Sequence, residues 1–408
     1  MEILEIVGGK ALFGEVAVGG SKNAALPILF ATLITHGTSV IKNVPDIADV
    51  SDCIEIIKSF GARVSRSGGT LTVDTSELSY KTPPTEAVCR IRASTYLIGA
   101  CLSRFDKAEL MPFGGCNFSV RPIDLHLTLA ELFGARRVKD TLLSSGLYAA
   151  HAVLDKVSVG ATVNALLLSS AAVGVSRITP YAREPHVFAL IDFLRSAGAE
   201  ITVGDTTLTV VGHRLRGGEV TVVGDMIEAG TYLSAGLVTG GEVSVSGVPP
   251  EQLSSFLEPL RDSGVEITEK DGKITASGYP KKAIRIETGP YPEFPTDLQP
   301  IVAPVLAVGC GGTVLDRVWR ARYGYLETLS AFGLKYSLSS SSAKIEKSAL
   351  RCADASAPDL RGGASSVLTA LASSGKSLIY NAKIIRRGYE RLPEKLSALG
   401  ARIKYIKE

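Results

Sequence analysis

Cys116 stands in the segment MPFGGCNFSVRP, behind two glycines and five residues before Arg121. An exposed thiol beside a cation ionises more easily and can serve as nucleophile or proton donor. Adjacent glycines let such a loop move as a lid. A buried, inert small hydrophobe is the competing reading of Cys116, and it is the reading taken for the other five cysteines. Asp297 follows the Pro-rich run GPYPEFPTD, which fixes the backbone ahead of a helix. It suits an N-cap, or a carboxylate that orients or deprotonates a hydroxyl. His126, in RPIDLHLTLAEL, is either a helix-surface side chain near Asp124 or a ligand contact.

Cations recur at two kinds of place. Lys22-Asn23, Arg92, Lys156 and Arg361 stand at expected helix starts, and Arg121, Arg183, Arg320, Arg322 and Arg387 follow expected strands. Helix starts present unpaired N–H groups and a positive dipole end, and arginine binds phosphate or carboxylate bidentately. If these starts converge, the cations ring one cleft suited to a small anion. The alternative is ordinary solvated loop charge.

Composition narrows the classes. Lys plus Arg number 44 against 41 Asp plus Glu, too balanced for binding nucleic acid by bulk charge. No CxxC or HExxH pattern signals a metal site. MEILEIVGGK lacks the basic and apolar regions of a signal peptide, and the greasy stretches near 24–35 and 163–174 are too short or too polar to span a bilayer. A reduced, cytoplasmic protein is expected, without nucleic-acid or membrane partners. ASSGKS at 372–377 imitates the end of a P-loop, but Ala370 stands where glycine is required and the run follows a helix.

The elements that position these residues repeat. Helix-like runs end in SFGARV, LFGARRV, SAGAEI, DSGVEI, AFGLKY and ALGARI, with glycines at 61, 134, 198, 264, 333 and 400. Glycine closes helices there because the terminal residue adopts positive φ. Each unit also holds an apolar first helix, such as KVSVGATVNALLLSSAAV, expected to lie buried. Three units per domain predict one domain over 21–223, with a lid loop at 111–121. The second is discontinuous, over 1–20 plus 224–408, because the opening strands LEIVGG and GEVAVGG must join the last unit to close the ring.

GGSKNAALPILFA, MPFGGCNFSVRPIDLH, DKVSVGATVNALL, AREP, EAGT, FPTDLQ and RGYERLPEKLSALGA, in this order, resemble the UDP-N-acetylglucosamine 1-carboxyvinyltransferases, a family of enolpyruvyl transferases. The resemblance runs from about residue 8 to 405. It implies an α/β (α+β) fold of two similar inside-out α/β barrel domains, each of three βαβαββ repeats, with a cleft between them. It implies transfer of the enolpyruvyl group of phosphoenolpyruvate to the 3-hydroxyl of UDP-N-acetylglucosamine with release of phosphate, the first committed step of peptidoglycan synthesis. No metal or organic cofactor is implied, and the oligomeric state is left open.

By that resemblance Cys116 is the lid cysteine that protonates the methylene carbon, and the residue alkylated by the epoxide phosphonate fosfomycin. Asp297 takes the sugar hydroxyl proton. Lys22, Arg92, Arg121 and Arg387 hold phosphate and carboxylate, and Asn23 lies near the hydroxyl. Arg121, Pro122, Ile123, Asp124, Leu125, Lys156, Ser158, Val159, Gly160 and Val318 contact the nucleotide sugar. Arg320 and Ala321, Ile384, Arg386 and Met226 depart from the family's pattern. Two rivals stand beside this reading: a 3-phosphoshikimate 1-carboxyvinyltransferase, and a nucleotide-sugar-binding paralogue without turnover.

Overall fold

A computed structural model of the chain describes residues 2–115, 122–319 and 322–407. The described chain divides into two compact units. An inserted unit comprises residues 20–115 and 122–223; a split unit comprises residues 2–19 and 224–407.

Helices of the inserted unit are α1 (Lys22–Ala31), α2 (Ala48–Ser59), the short α3 (Thr85–Arg90), α4 (Leu97–Phe105), α5 (Asp124–Leu132), α6 (Val159–Ala171) and α7 (Pro185–Ser196). Those of the split unit are α8 (Met226–Thr239), α9 (Ser254–Asp262), α10 (Gln299–Val308), α11 (Tyr325–Ser330), α12 (Leu360–Ala372) and α13 (Leu392–Ala398). They fall into two kinds. α1, α6, α8, α10 and α12 are built from apolar and small residues on every side. A helix without a polar stripe can only lie inside a core, and α8 is accordingly buried at every residue from Met226 to Val238. α9 is of the other kind: it buries Phe256, Leu257 and Leu260 and turns its charges outward. In the split unit α8, α10 and α12 pack on one another; in the inserted unit α4 packs on α6 and touches α1.

Sheets surround these central helices. Most have four strands, in which a strand pairs antiparallel with one arm of a hairpin and parallel with a neighbour. Their strands alternate: Lys273–Ser277 buries Ile274 and Ala276 and leaves Lys273 outside. The six repeat glycines, Gly61, Gly134, Gly198, Gly264, Gly333 and Gly400, all have φ between 85° and 105°. After four of them the next N–H reaches back to a helix carbonyl, as Ala135 to Ala130 and Ala401 to Leu396. These bonds close the helix ends.

The start of the chain fills a gap left by its end. β1 (Glu2–Gly8) lies between Gly375–Tyr380 and Arg402–Lys407, antiparallel to both. It occupies the position that a hairpin arm holds in the other four-stranded sheets. β2 (Phe13–Ala17) pairs parallel with Glu242–Ser246.

Candidate active site

Cys116 and Arg121 lie outside the described residues, as do Arg320 and Ala321. The remaining candidates occur in both units.

In the split unit, Asp297 does not cap α10. Leu298 holds the N-cap position and makes no side-chain cap bond. Asp297 Oδ1 instead accepts from Arg322 Nη1 at 2.8 Å, and Oδ2 accepts from Arg361 Nε at 3.1 Å and Nη2 at 3.0 Å. The side chains of Arg322 and Arg361 are only 6% and 3% exposed. Burial by itself pushes the Asp297 carboxyl up, but Arg361 and Arg322 outweigh it and hold the group well below the usual carboxylate range. Arg361 Nη1 is buried and makes no hydrogen bond among the described residues. Its guanidinium lies over the Tyr389 ring, 5.4 Å from the centroid. The local sequence supports this arrangement. Asp359 caps α12 by accepting from the N–H groups of Arg361 and Gly362, which fixes the turn carrying Arg361. Asp316 Oδ1 accepts from the N–H groups of Val318 and Trp319, shaping the loop that leads to Arg322. Val318 is exposed on that loop, and Arg387 ends the 3₁₀ turn Ala382–Arg387, half-buried.

Two departures from the family's pattern have visible consequences here. Arg386 pairs with Glu2 at 2.9 Å and stacks on Tyr405. Met226 is buried in the first turn of α8, where Glu228, also buried, binds Lys395 Nζ at 2.6 Å and the Gly19 N–H at 2.7 Å. Burial raises the Glu228 carboxyl despite Lys395.

In the inserted unit, Lys22 opens α1 and Asn23 follows, half-buried. Lys22 Nζ lies 2.7 Å from Asp49, which is buried in the first turn of α2. Arg92 begins the 3₁₀ turn Arg92–Tyr96 and donates to the Pro122 carbonyl at 3.3 Å. Pro122 and Asp124 are exposed, Ile123 and Leu125 partly so. Ser158 caps α6 by accepting from the Ala161 N–H at 3.3 Å, with Val159 and Gly160 in the first helical turn and Lys156 exposed before it.

The helix-surface expectation for His126 does not hold: it is buried, and Nδ1 meets Asn164 Nδ2 at 2.8 Å. Burial and Arg92 push its imidazole down to about 4. The inert-hydrophobe reading fits the buried Cys53 and Cys101, whereas Cys89, Cys310 and Cys352 are exposed. Arg183 is exposed and donates to the Asp205 carbonyl at 3.4 Å.

Asp49, Asn164, Tyr389 and Lys395 were not singled out from the sequence as partners in the site. Asp49 had a signal, an acid at a helix start opposite a lysine-led helix; Asn164 sits in an apolar run and had none. Among the described residues no group of His, Cys, Asp or Glu is placed to hold a metal ion, and no helix is long and apolar enough to cross a membrane.

A family model for EPSP synthase (3-phosphoshikimate 1-carboxyvinyltransferase) matches residues 6–396. UDP-N-acetylglucosamine 1-carboxyvinyltransferase 3 of Caldanaerobacter subterraneus subsp. tengcongensis is 41% identical over 417 residues, covering 100% of both chains. UDP-N-acetylglucosamine 1-carboxyvinyltransferase 2 of Clostridium acetobutylicum is 37% identical, covering 99% of each. Among solved structures, the enolpyruvyl transferase NikO from Streptomyces tendae superposes with a TM-score of 0.88 at 26% identity, covering 100% of this chain and 99% of that one. EPSP synthase from Acinetobacter baumannii has a TM-score of 0.74 at 17% identity, covering 100% of both, a likeness of fold alone.

Proposed function

Because the chain belongs to the UDP-N-acetylglucosamine 1-carboxyvinyltransferase family of enolpyruvyl transferases, we propose that it transfers the enolpyruvyl group of phosphoenolpyruvate to the 3-hydroxyl of UDP-N-acetylglucosamine and releases phosphate. Its fold is the two-domain enolpyruvyl-transferase fold of inside-out α/β barrels, with helices inside and sheets outside. The reaction serves cell-wall synthesis in the cytoplasm and draws on no metal or organic cofactor.

The observation that carries the reading is the Asp297 cluster: an ionised carboxylate held by two buried guanidiniums, one with a buried Nη1 that meets no hydrogen-bond partner among the described residues. A buried, unsatisfied cationic N–H is costly, and a carboxylate or phosphate of a substrate would satisfy it. Enolpyruvyl transfer passes through a tetrahedral intermediate that carries both. The sugar hydroxyl oxygen bonds to the central carbon of the enol while the methylene carbon gains a proton. The carbon–oxygen bond to phosphate then breaks as that proton's equivalent leaves the methyl group, restoring the double bond.

Each residue has a part in these steps. Asp297 accepts the hydroxyl proton. In the resting cluster it is a weak base, because two cations stabilise its charged form. An anion binding to Arg361 offsets that positive charge, so substrate binding itself raises the basicity of Asp297. Cys116 supplies the proton to the methylene carbon. Lys22, Arg121 and Arg387 hold the anionic groups, and preorganised charge of this kind gives the largest share of stabilisation for such intermediates. Asn23 orients the hydroxyl. Arg92, Arg121, Pro122, Ile123, Asp124, Leu125, Lys156, Ser158, Val159, Gly160 and Val318 take the nucleotide sugar.

A phosphate-release assay tests the reading. Phosphate should appear from phosphoenolpyruvate with UDP-N-acetylglucosamine and not with shikimate 3-phosphate. Cys116→Ser should lose turnover at neutral pH and keep sugar-nucleotide binding, and intact mass should show a fosfomycin adduct on the wild type alone. Turnover with shikimate 3-phosphate only, or tight sugar-nucleotide binding without turnover, would refute it.

A further inference from the structure

Asn164 lies in the middle of α6, fully buried among apolar neighbours, and its side-chain amide is engaged on every side. Oδ1 accepts from the Gly99 N–H at 2.7 Å, in the first turn of α4. Nδ2 donates to the Thr95 carbonyl at 3.1 Å and meets His126 Nδ1 at 2.8 Å. Turning the amide over would set its NH₂ against the Gly99 N–H and its oxygen against the Thr95 carbonyl. The amide therefore has one orientation, and it assigns the histidine tautomer: Nδ1 is an acceptor and the proton sits on Nε2.

The far edge of that ring meets the first turn of α6. A Cβ placed on Gly160 would stand 2.9 Å from His126 Cε1 and 3.2 Å from Nε2. These distances are tight, and the ring cannot swing away while Nδ1 holds Asn164. Glycine is what allows the helix start to come this close. Arg92, which lowers the imidazole's proton affinity by its charge, also donates to the Pro122 carbonyl. One residue pair thus ties together three separate segments: 92–99, 122–126 and 158–164.

We propose that His126 and Asn164 form a positioning pair that sets affinity for the nucleotide sugar, holding Arg92, Pro122–Leu125 and Ser158–Gly160 in register without touching the reacting atoms. The proposal rests on the assignment of those segments to the nucleotide sugar made above. Its energetic logic is that of a fully satisfied buried polar network, which specifies one arrangement where apolar packing alone would tolerate several. Neutral imidazole is essential to it, since a proton on Nδ1 would oppose the Asn164 N–H. Besides Arg92, the charged group acting on the ring is Asp124 on its own helix.

The experiment compares His126→Leu, which removes the acceptor, with His126→Asn, whose Oδ1 can replace Nδ1 toward Asn164. Asn164→Ser serves as a milder second cut of the same network. Steady-state phosphate release gives KM for each substrate and kcat. Calorimetry with UDP-N-acetylglucosamine alone gives Kd. Hydrogen exchange of the amides at 159–162 reports the order of the α6 start. His126→Leu should raise KM and Kd for the nucleotide sugar tenfold or more, with kcat and KM for phosphoenolpyruvate within threefold. His126→Asn should return the KM to within threefold of wild type. Amides 159–162 should exchange tenfold faster in His126→Leu, or in Asn164→Ser if His126→Leu does not fold. An unchanged nucleotide-sugar KM in folded variants would overturn the proposal. So would a loss of kcat that His126→Asn does not restore, since that would place the ring on the reacting groups. If the wild type neither binds nor turns over UDP-N-acetylglucosamine, the functional reading fails by itself. The exchange comparison then decides the pair, and equal exchange at 159–162 in wild type and variant sinks it.

Discussion

Acidification from pH 8 to pH 5 should destabilise the wild-type chain relative to His126→Asn by about 2 kcal/mol. In the folded chain burial first and the nearby Arg92 second displace the His126 imidazole from an ordinary value of 6.5 to about 4. The folded state thus keeps His126 neutral where the unfolded chain protonates it. Below pH 6.5 the unfolded state binds the extra proton, so stability falls as the pH falls, and the loss saturates below about 4. At pH 5 the unfolded histidine is almost wholly charged and the folded one almost wholly neutral. That difference converts to ~2 kcal/mol. Asparagine carries no titrating proton, and every other group is common to both proteins, so the difference of differences isolates the one site. Urea unfolding of both proteins by far-UV circular dichroism at pH 8, 6.5 and 5 supplies it. The Cε1 chemical shift of labelled His126 would locate the titration directly. A difference flat to within about 0.5 kcal/mol would refute the reasoning. So would a wild type that gains on the variant toward pH 5, which would mean a protonated ring paired with Asp124.

Asp297→Asn should cut phosphate release by on the order of 10² or more. It should also lower unfolding free energy by ~3 kcal/mol, because Arg322 and Arg361 are left buried without their anion; a mild effect on both would reduce Asp297 to a loop residue. Asp49→Asn should raise KM for phosphoenolpyruvate about tenfold, a loss of ~1.4 kcal/mol in orienting Lys22; a KM within twofold of wild type in the phosphate assay would show that Lys22 needs no such partner. Lys395→Met should lower Tm markedly at pH 8, by ~3 kcal/mol of stability, since Glu228 stays buried without its cation. Burial already raises that carboxyl, so the folded state takes up a proton more readily and the deficit should shrink toward pH 5. Calorimetric scans giving equal deficits at both pH values would contradict this.

The repeat was legible because it is written in a backbone requirement. Positive φ at six helix ends demands glycine, and glycine is visible in any sequence. Burial of the central helices was legible for a similar reason, as α6 and α8 have no polar face to misread. The site was less legible wherever partners are distant along the chain. Asp297 meets arginines 25 and 64 positions away, and no local pattern distinguishes that from capping; the Pro-rich approach even argued for a cap. Asn164 in an apolar helix is invisible as a partner until His126 is seen beside it. Cysteine exposure also escaped, because the general preference of thiols for cores says nothing about Cys89, Cys310 or Cys352 individually.

The placement of β1 has a consequence for biosynthesis. The strands at Gly375–Tyr380 and Arg402–Lys407 need β1 between them, and it is made long before either. On the ribosome, residues 20–223 are complete while β2 waits for Glu242–Ser246 and β1 for partners nearly four hundred residues downstream. The Glu2↔Lys407 pairing also puts these two residues side by side. A chain recut to begin at Gly224, with a short turn joining 407 to 2, would remove that wait and let the split unit assemble in one pass.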